Sequence, residues 1–330
     1  VRHNRLDDWY YSCHFLGDPV MPGCWGVDAV WQCLRFFAAW RGLPSCRALG
    51  MEDVRFFGQI RPRDRTILYA VDVLRVEESD GEWLLTGRAE VSVDGVPVYS
   101  IGAAQVGTTL WQSDERAAMP EDGDEDAPSA PIGYDEFIAR DRFSFPEIVA
   151  ISQGSLVREP PPELGLLPCG LMLELGSVRK LAYDRAAGEG RVVASKDNSS
   201  QAWYYPMNGG LKPAALSIDA VWQLIGLFLS WSGQLGTGRA LGFGRVELFG
   251  EVRPSDRRIL YELDVTRVTR SEATGDAFVR GDAKVFADGR LILACADANV
   301  GCHKGIRYPD YPHSTELSRG GKVKTRLSDR

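Results

Sequence analysis

The stretch "RALGMEDVRFFGQIRPRDRTILYAVDVLRV", Arg47–Val76, recurs as "RALGFGRVELFGEVRPSDRRILYELDVTRV" at Arg239–Val268. The two copies align without gaps, and 18 of their 30 positions are identical. A matching "DAVWQ" precedes each copy, at Asp28–Gln32 and Asp219–Gln223. Self-similarity of this kind indicates that the 330-residue chain is built from a duplicated unit.

Each unit has the same order of predicted elements. A turn containing proline leads into a helix that is apolar on almost all sides, such as "GVDAVWQCLRFFAAWRGL" (Gly26–Leu43). Strand-like segments rich in Val, Ile, Leu, Tyr and Phe follow, separated by turn signals such as Asp80-Gly81. A helix with so little polar surface must be enclosed by other structure. The pattern therefore predicts an α+β fold in which an antiparallel sheet wraps around one helix.

The two units are predicted to differ in extent. We expect a first unit at residues 1–112, an acidic linker rich in Pro and Ala at 113–133, a second unit at 134–306 and a polar tail at 307–330. The second unit has a long lead-in before its helix, whereas only thirteen residues precede His14. The N-terminal strands of the first unit are therefore expected to be missing from the sequence.

The composition is that of a globular protein and argues against several function classes. The net charge of −7 disfavours a general nucleic-acid binder, which needs a basic field for phosphates. The seven cysteines show no Cys-x-x-Cys spacing, which favours free thiols in a reducing cytoplasm over disulfides or a zinc site. No uninterrupted apolar run reaches the roughly 18–20 residues of a membrane span. A start at Val1 rather than Met is expected of a piece of a longer polypeptide.

A second informative stretch is "HFLGDPVMPGCWGVDAVWQ", His14–Gln32. His14 is suited to proton transfer because imidazole titrates near neutral pH, with a structural loop histidine as the alternative. Gly23 and Cys24 begin a helix, where unpaired N–H groups favour negative charge, and Gly23 has no side chain to obstruct an incoming carbonyl. Cys24 is interpreted as a small helix-start residue rather than a nucleophile. Asp18 is expected to cap backbone N–H groups of the turn.

The stretch His14–Gln32, with its GDPVMPGC core, closely resembles the active-site signature of the bacterial β-hydroxydecanoyl-acyl carrier protein dehydratase family. The likeness covers most of both units. Two such units in one chain look like the dehydratase region of a polyunsaturated fatty acid synthase or a related iterative, polyketide-type megasynthase. The resemblance implies a double hot-dog fold, in which two tandem hot-dog units form a pseudo-dimer.

The resemblance also implies an activity and partners. The reaction would be dehydration of 3-hydroxyacyl-acyl carrier protein to the trans-2-enoyl form in fatty acid biosynthesis, and trans-2/cis-3 isomerisation is compatible with it. The substrate would arrive on the phosphopantetheine of an acyl carrier protein, among neighbouring domains of a megasynthase, and no cofactor or metal is implied. Arg75, Arg267 and Arg270 are candidate contacts for the acidic carrier, with simple solvation as the alternative.

In the resembled family the active site is composite, with the histidine from one unit and the aspartate from the helix of its partner. Carried over, His14 is expected to face Asp219 of the second unit rather than Asp28 of its own. Asp219 lies in an apolar helix, where an ionisable group is costly unless it has a task or a partner. Gln223 is four residues away and can hydrogen-bond Asp219. A buried structural acid is the alternative for Asp219.

The mirror-related site would pair Asp28 with the histidine position of the second unit. Counting back from the proline before the second helix reaches Tyr205, whereas counting forward from "WYY" reaches Asn208, because this segment is three residues shorter. Neither residue is a histidine, and Ala214 replaces the equivalent of Gly23. We therefore predict one working site per chain, with Asp28 and Tyr205 in a vestigial second site.

Three aromatic residues, Trp25, Trp31 and Phe36, are expected to line an acyl tunnel or to belong to the core. Two other functions stay open at this point. One is a structural or acyl-binding module with weak turnover. The other is a hot-dog thioesterase, which would need a carboxylate that activates water at the thioester carbon, and the intact GDPVMPG turn argues against it.

Overall fold

The computed structural model describes residues 1–120 and 130–305. Within them, eleven strands form one antiparallel sheet in the order β1-β3-β4-β5-β2-β8-β11-β10-β9-β7-β6. The strands are β1 (Arg2–His3), β2 (Arg47–Phe56), β3 (Thr66–Ser79), β4 (Glu82–Val93), β5 (Val96–Gly107), β6 (Ser177–Asp184), β7 (Glu189–Asp197), β8 (Thr237–Leu248), β9 (Arg258–Arg270), β10 (Ala277–Ala287) and β11 (Arg290–His303). The α-helices are α1 (Gly23–Trp40), α2 (Tyr134–Ala139), α3 (Phe145–Gln153) and α4 (Ala214–Trp231).

The sheet is symmetric about the pair formed by β2 and β8. Strand β2 lies between β5 and β8, and β8 lies between β2 and β11, so the two half-sheets join edge to edge. In this junction Met51 is opposite Val246 and Glu52 is opposite Arg245. Each half-sheet wraps around its own long helix, and α1 and α4 contact each other. The predicted double hot-dog fold with two tandem units is confirmed.

Both long helices begin directly after a proline. Pro22 and Pro213 have nearly identical backbone angles, φ −57° with ψ 129° and 127°, so each fixes the chain in an extended conformation before the first turn. Helix α1 thus begins at Gly23, three residues earlier than the predicted Gly26. This start agrees with the expectation that Gly23 and Cys24 begin the helix, whereas the apolar pattern had placed the first helical residue at Gly26.

The two helices differ in how completely they are enclosed. The lead-in of the second unit supplies α2, α3 and the β6–β7 hairpin, and the main-chain oxygen of Arg140 accepts a hydrogen bond of 2.5 Å from Nε1 of Trp231. In the described part of the first unit, the lead-in before α1 supplies no α-helix and only the two-residue strand β1, which pairs with β3. As a result Phe36 is 74% exposed, whereas its equivalent, Leu227, is 1% exposed. The prediction that Phe36 lines a tunnel or belongs to the core is wrong, because no lead-in covers this face of α1.

Part of the predicted linker packs on the second unit. Arg116 forms an isolated bridge with Arg290, and the N–H of Ala117 donates to the oxygen of Gly289 at 2.9 Å. Nζ of Lys284 lies 2.6 Å from Oε1 of Glu115. Residues 113–120 therefore lie along β10 and β11. Residues 121–129 and the predicted tail at 307–330 lie outside the described residues, and the predicted unit boundaries stay predictions.

Helix α4 is long and apolar enough to cross a membrane by length and composition. However, 89% of its apolar window is buried inside the protein, which is the environment of a core helix. All seven cysteines are free thiols. In the part of the chain that the structure describes, no three His, Cys, Asp or Glu side chains are grouped so that they could hold a metal ion.

Candidate active site

A cavity of about 100 Å³ lies between the two units. His14 and Gly23 of the first unit line it, together with Asp219 and Gln223 of the second unit. Asp28 does not line this cavity and opens into a different cleft. The structure therefore brings together the imidazole and the carboxyl group that the sequence analysis paired across the units.

The turn that carries His14 is closed by hydrogen bonds. The N–H of Val20 donates to the oxygen of His14 at 2.8 Å, and Nδ1 of His14 lies 3.0 Å from the oxygen of Val20. Since a carbonyl only accepts, Nδ1 carries the ring proton, which leaves Nε2 as the free base of the neutral imidazole. Burial lowers the pKa of His14 to about 4, so the ring is neutral at physiological pH.

Asp219 lies on α4 and is buried. Burial raises the pKa of its carboxyl group to about 7, while the hydrogen bonds from Gln223 and the thiol of Cys24 act in the opposite direction. At neutral pH a large fraction of Asp219 therefore holds a proton. A protonated carboxylic acid and a neutral imidazole in one cavity are a matched proton donor and acceptor.

The amide of Gln223 fixes the orientation of this carboxyl group. Its Nε2 donates to Oδ2 of Asp219 at 2.7 Å and to the oxygen of Met172 at 2.7 Å. Its Oε1 accepts a hydrogen bond of 2.9 Å from the N–H of Glu174. Every amide atom of Gln223 thus has a partner that suits it, so the side chain can present only its Nε2 to Asp219.

Gly23 and Cys24 occupy the first turn of α1, where the N–H groups have no partner within the helix. A Cβ atom at position 23 would lie 2.9 Å from Cε2 of Phe56, so the glycine is also required by the packing of that ring. Burial raises the pKa of Cys24 well above its usual value. A thiol that stays protonated is a poor nucleophile, which agrees with its interpretation as a small helix-start residue.

One ion pair of the site was not found by sequence reasoning. Nη1 and Nη2 of Arg239 donate to the two carboxylate oxygens of Asp18 at 2.8 and 2.9 Å, and Nε of Arg239 donates to Oε1 of Gln59 at 2.7 Å. Asp18 was expected to cap the backbone, whereas its carboxylate binds an arginine of the other unit. The sequence signal was the arginine that begins both "RALG" copies, but the pattern does not indicate its partner.

The other aromatic and basic candidates lie outside the cavity. Trp31 is buried and donates from Nε1 to the oxygen of Gly50, and Trp25 packs edge-on against Trp9. The cavity is instead lined by other aromatic rings: Phe15, Phe56, Tyr99 and Trp222. The three candidate carrier contacts are exposed and lie within strands: Arg75 on β3, and Arg267 and Arg270 on β9.

A second cleft, of about 480 Å³, lies in the mirror-related position. Asp28, Asn208 and Ala214 line it. Nδ2 of Asn208 donates to the oxygen of Leu211 at 3.1 Å. This contact is equivalent to that of the His14 ring with the oxygen of Val20, because Val20 and Leu211 both lie three residues before their helices. Asn208 is therefore the structural counterpart of His14.

Tyr205 belongs elsewhere, which corrects its prediction as a residue of the second site. Its hydroxyl donates to Oδ1 of Asn198 at 2.8 Å, as the hydroxyl of Tyr11 donates to Oδ1 of Asn4 at 2.9 Å. Tyr205 is thus the counterpart of Tyr11 and does not line the second cleft. Counting back from the proline was wrong because the three missing residues lie between Asn208 and the helix, not before it.

With this geometry established, the chain can be compared with known proteins. A family model described as a FabA-like domain matches residues 2–102 and 167–296. The chain belongs to this family. Its duplicated match agrees with the two units seen in the sheet, and each match includes one of the long helices.

Three solved structures are similar to this FabA-like chain over almost its whole length. A trans-AT polyketide synthase dehydratase domain from Brevibacillus brevis has a TM-score of 0.52 and 11% identity, covering 91% of this chain and 92% of its own. A monomeric dehydratase domain from a trans-AT polyketide synthase split module has a TM-score of 0.50 and 13% identity, covering 91% of this chain and 97% of its own. A candidate thioesterase from Novosphingobium aromaticivorans has a TM-score of 0.50 and 14% identity, covering 92% of this chain and 94% of its own. At these identities the likeness shows the shared fold alone.

Proposed function

We propose that this protein dehydrates 3-hydroxyacyl thioesters carried by an acyl carrier protein. The observation that carries the proposal is the shared cavity of His14 and Asp219, in which one group is a free base and the other holds a proton at neutral pH. Dehydration of a 3-hydroxyacyl thioester needs a base at C2, an acid at the C3 hydroxyl and donors for the thioester oxygen.

In the proposed mechanism, Nε2 of His14 removes a proton from C2 of the substrate. The electron pair of the broken C–H bond forms the C2–C3 double bond, and the C3–O bond breaks as Asp219 donates its proton, so that water leaves. The N–H groups of Gly23 and Cys24 at the start of α1 hold the thioester oxygen while negative charge builds on it. The sequence of proton transfers uses no cofactor.

The same groups support a second step. Once the proton on His14 has passed back to Asp219, both groups are ready to act again. His14 can then remove one of the acidic C4 protons of the trans-2-enoyl product while Asp219 returns a proton at C2, which moves the double bond to position 3. We include this isomerisation in the proposal. The natural setting would be a polyunsaturated fatty acid synthase or a related polyketide-type assembly, in which the exposed side chains of Arg75 in the first unit, or of Arg267 and Arg270 in the second, would contact an acidic carrier.

The test uses purified protein and a 3-hydroxydecanoyl thioester of N-acetylcysteamine or of a phosphopantetheinylated acyl carrier protein. We expect the 2-enoyl product, measured by mass spectrometry and by its ultraviolet absorbance. His14→Ala and Asp219→Asn should each lower kcat at least about a hundredfold, as expected for loss of general acid–base catalysis. Free acid as the product would show a thioesterase, and no turnover by folded protein would indicate an acyl-binding module. Either result contradicts the proposal.

A further inference from the structure

The active-site turn of the first unit is clamped by an arginine of the second unit. Arg239 lies near the beginning of β8, and its guanidinium makes two parallel hydrogen bonds to the carboxylate of Asp18. The side chains are 13% and 4% exposed, so this is a buried pair. Paired N–H donors on a carboxylate fix both the distance and the orientation of the partners.

Asp18 is part of the same turn as His14. The N–H of Phe15 donates to the oxygen of Asp18 at 3.1 Å, and the N–H of Asp18 donates to the oxygen of Phe15 at 3.2 Å. A displacement of Asp18 therefore moves the segment next to the His14 ring. Because Val20 closes the turn on the other side of the ring, the position of the imidazole depends on both contacts.

Arg239 also holds a second segment of the first unit. Its Nε donates to Gln59, which directly precedes Ile60, and the oxygen of Ile60 accepts a hydrogen bond of 2.8 Å from the N–H of Met21. Met21 is two residues before Gly23, at the start of α1. One guanidinium group thus connects to both sides of the cavity, the side with the imidazole and the side with the helix start.

The second unit provides an internal comparison. Arg47 is the counterpart of Arg239, and its Nη1 lies 2.7 Å from Oε2 of Glu251, the counterpart of Gln59. The turn from Asn208 to the helix contains no acidic residue. The arginine is therefore present in both units, but a carboxylate on the turn accompanies it only where the turn carries a histidine.

We propose that Arg239, through its ion pair with Asp18, is a positioning residue that holds His14 in its reactive orientation from the opposite unit. The inference rests on the proposed function for its kinetic consequence, but the effect on His14 itself does not require turnover. Arg239 acts through Asp18 and needs no contact with the reacting atoms.

The kinetic test compares Arg239→Gln, Arg239→Lys and Asp18→Asn with the matched control Arg47→Gln. Arg239→Gln and Asp18→Asn should each lose about tenfold or more in kcat, because each breaks the buried charged pair. Asp18→Asn should also keep KM within about twofold, because Asp18 does not line the cavity, whereas Arg239 does. The double variant should be no worse than either single one, because both remove the same interaction. Arg239→Lys should recover only part of the rate, since a point charge cannot make the paired bonds. The control should keep wild-type kinetics.

The structural test follows His14 directly, by NMR of protein labelled with ¹⁵N-histidine, which contains four histidines. The His14 ring signals should shift or broaden in Arg239→Gln and Asp18→Asn and stay unchanged in Arg47→Gln. If Arg239→Gln does not fold, the nearly isosteric Asp18→Asn variant and Arg239→Lys give the same test. Unchanged His14 signals together with unchanged kcat in a folded variant would overturn the inference, and so would a change confined to KM. Absence of dehydration by the wild-type protein would refute the proposed function instead and leave the NMR result to decide this inference.

Discussion

Asn208 lies in the second unit where His14 lies in the first. Each side chain bonds to the carbonyl oxygen three residues before its helix, that of Leu211 for the asparagine and that of Val20 for the histidine. An amide cannot take up a proton near neutral pH. The second cleft therefore has the same turn contact, but the side chain that makes it cannot act as a base.

This asymmetry predicts that only one of the two equivalent aspartates is needed for turnover. Asp219→Asn should lower kcat at least about a hundredfold, whereas Asp28→Asn should stay within about threefold of wild type, since Asp28 opens into the second cleft, where Asn208 takes the place of a histidine. Asp28 accepts a hydrogen bond from Gln32, so the amide of the variant can keep this contact. Steady-state kinetics of both variants provide the check. Equal losses would mean that the second cleft also works.

A second prediction concerns the start of α1. Gly23→Ala should destabilise the protein, because the new Cβ would meet the ring of Phe56 at 2.9 Å. The second unit shows the compatible combination, with Ala214 beside Leu248, the counterpart of Phe56. Adding Phe56→Leu to Gly23→Ala should therefore restore most of the lost stability.

Urea unfolding of the two single variants and the double variant measures the coupling between these positions. Phe56→Leu alone leaves space beside Gly23 and should itself be destabilising. If the double variant loses as much unfolding free energy as the two single variants together, the ring of Phe56 is not what excludes a side chain at position 23.

A third prediction is the pH dependence of the rate. The pKa of His14 is lowered to about 4, so the imidazole becomes a free base as the pH rises through that value. The pKa of Asp219 is raised to about 7, so the acid loses its proton as the pH rises further. We therefore expect kcat to rise from pH 4, reach a plateau below neutrality and fall above about pH 7.

The falling limb can be assigned with a variant. Residual activity of Asp219→Asn should show no decline near pH 7, because the amide does not titrate in this range. A decline at the same pH in this variant would assign the limb to another group.

A fourth prediction concerns a buried ion pair below the second cleft. Nζ of Lys212 lies 2.6 Å from Oε2 of Glu174, both side chains are 1% exposed, and Lys196 is a second cation beside the same carboxylate. Lys212→Met introduces the side chain of the equivalent position, Met21, and leaves Glu174 with one cation. We expect a loss of about 3–5 kcal/mol in the free energy of unfolding.

The exposed pair of Arg280 and Asp297 is the control, and Arg280→Met should cost less than about 1 kcal/mol. Both values follow from urea or thermal unfolding. Similar small losses in the two variants would mean that the buried pair contributes no more than a surface one.

The repeat and the order of its elements were sufficient to predict two similar α+β units, whereas the double hot-dog arrangement came from the family resemblance. Two copies of one pattern, each with an apolar helix before a run of strands, require two similar sheets that bury their helices. The cross-unit approach of His14 and Asp219 came from the family resemblance. It could not be read from spacing, since more than 200 residues separate the two positions.

The features that the sequence did not reveal are those that depend on which distant segment covers or contacts a residue. Phe36 has the pattern of a buried position but is exposed, whereas its equivalent, Leu227, is buried in the second unit. The Arg239–Asp18 pair joins two segments whose local patterns are compatible with several partners. Tyr205 was misassigned because a deletion leaves no mark of its location in the sequence, and only the hydrogen bond to Asn198 locates it.

The edge-to-edge joining of β2 and β8 within a single chain has an evolutionary consequence. In an assembly of two identical subunits, a mutation alters both halves at once, so neither can specialise alone. Here a codon change affects one lobe only. The turn before α4 could thus change in the second unit alone, while the same unit kept Asp219 in the cavity that it shares with His14.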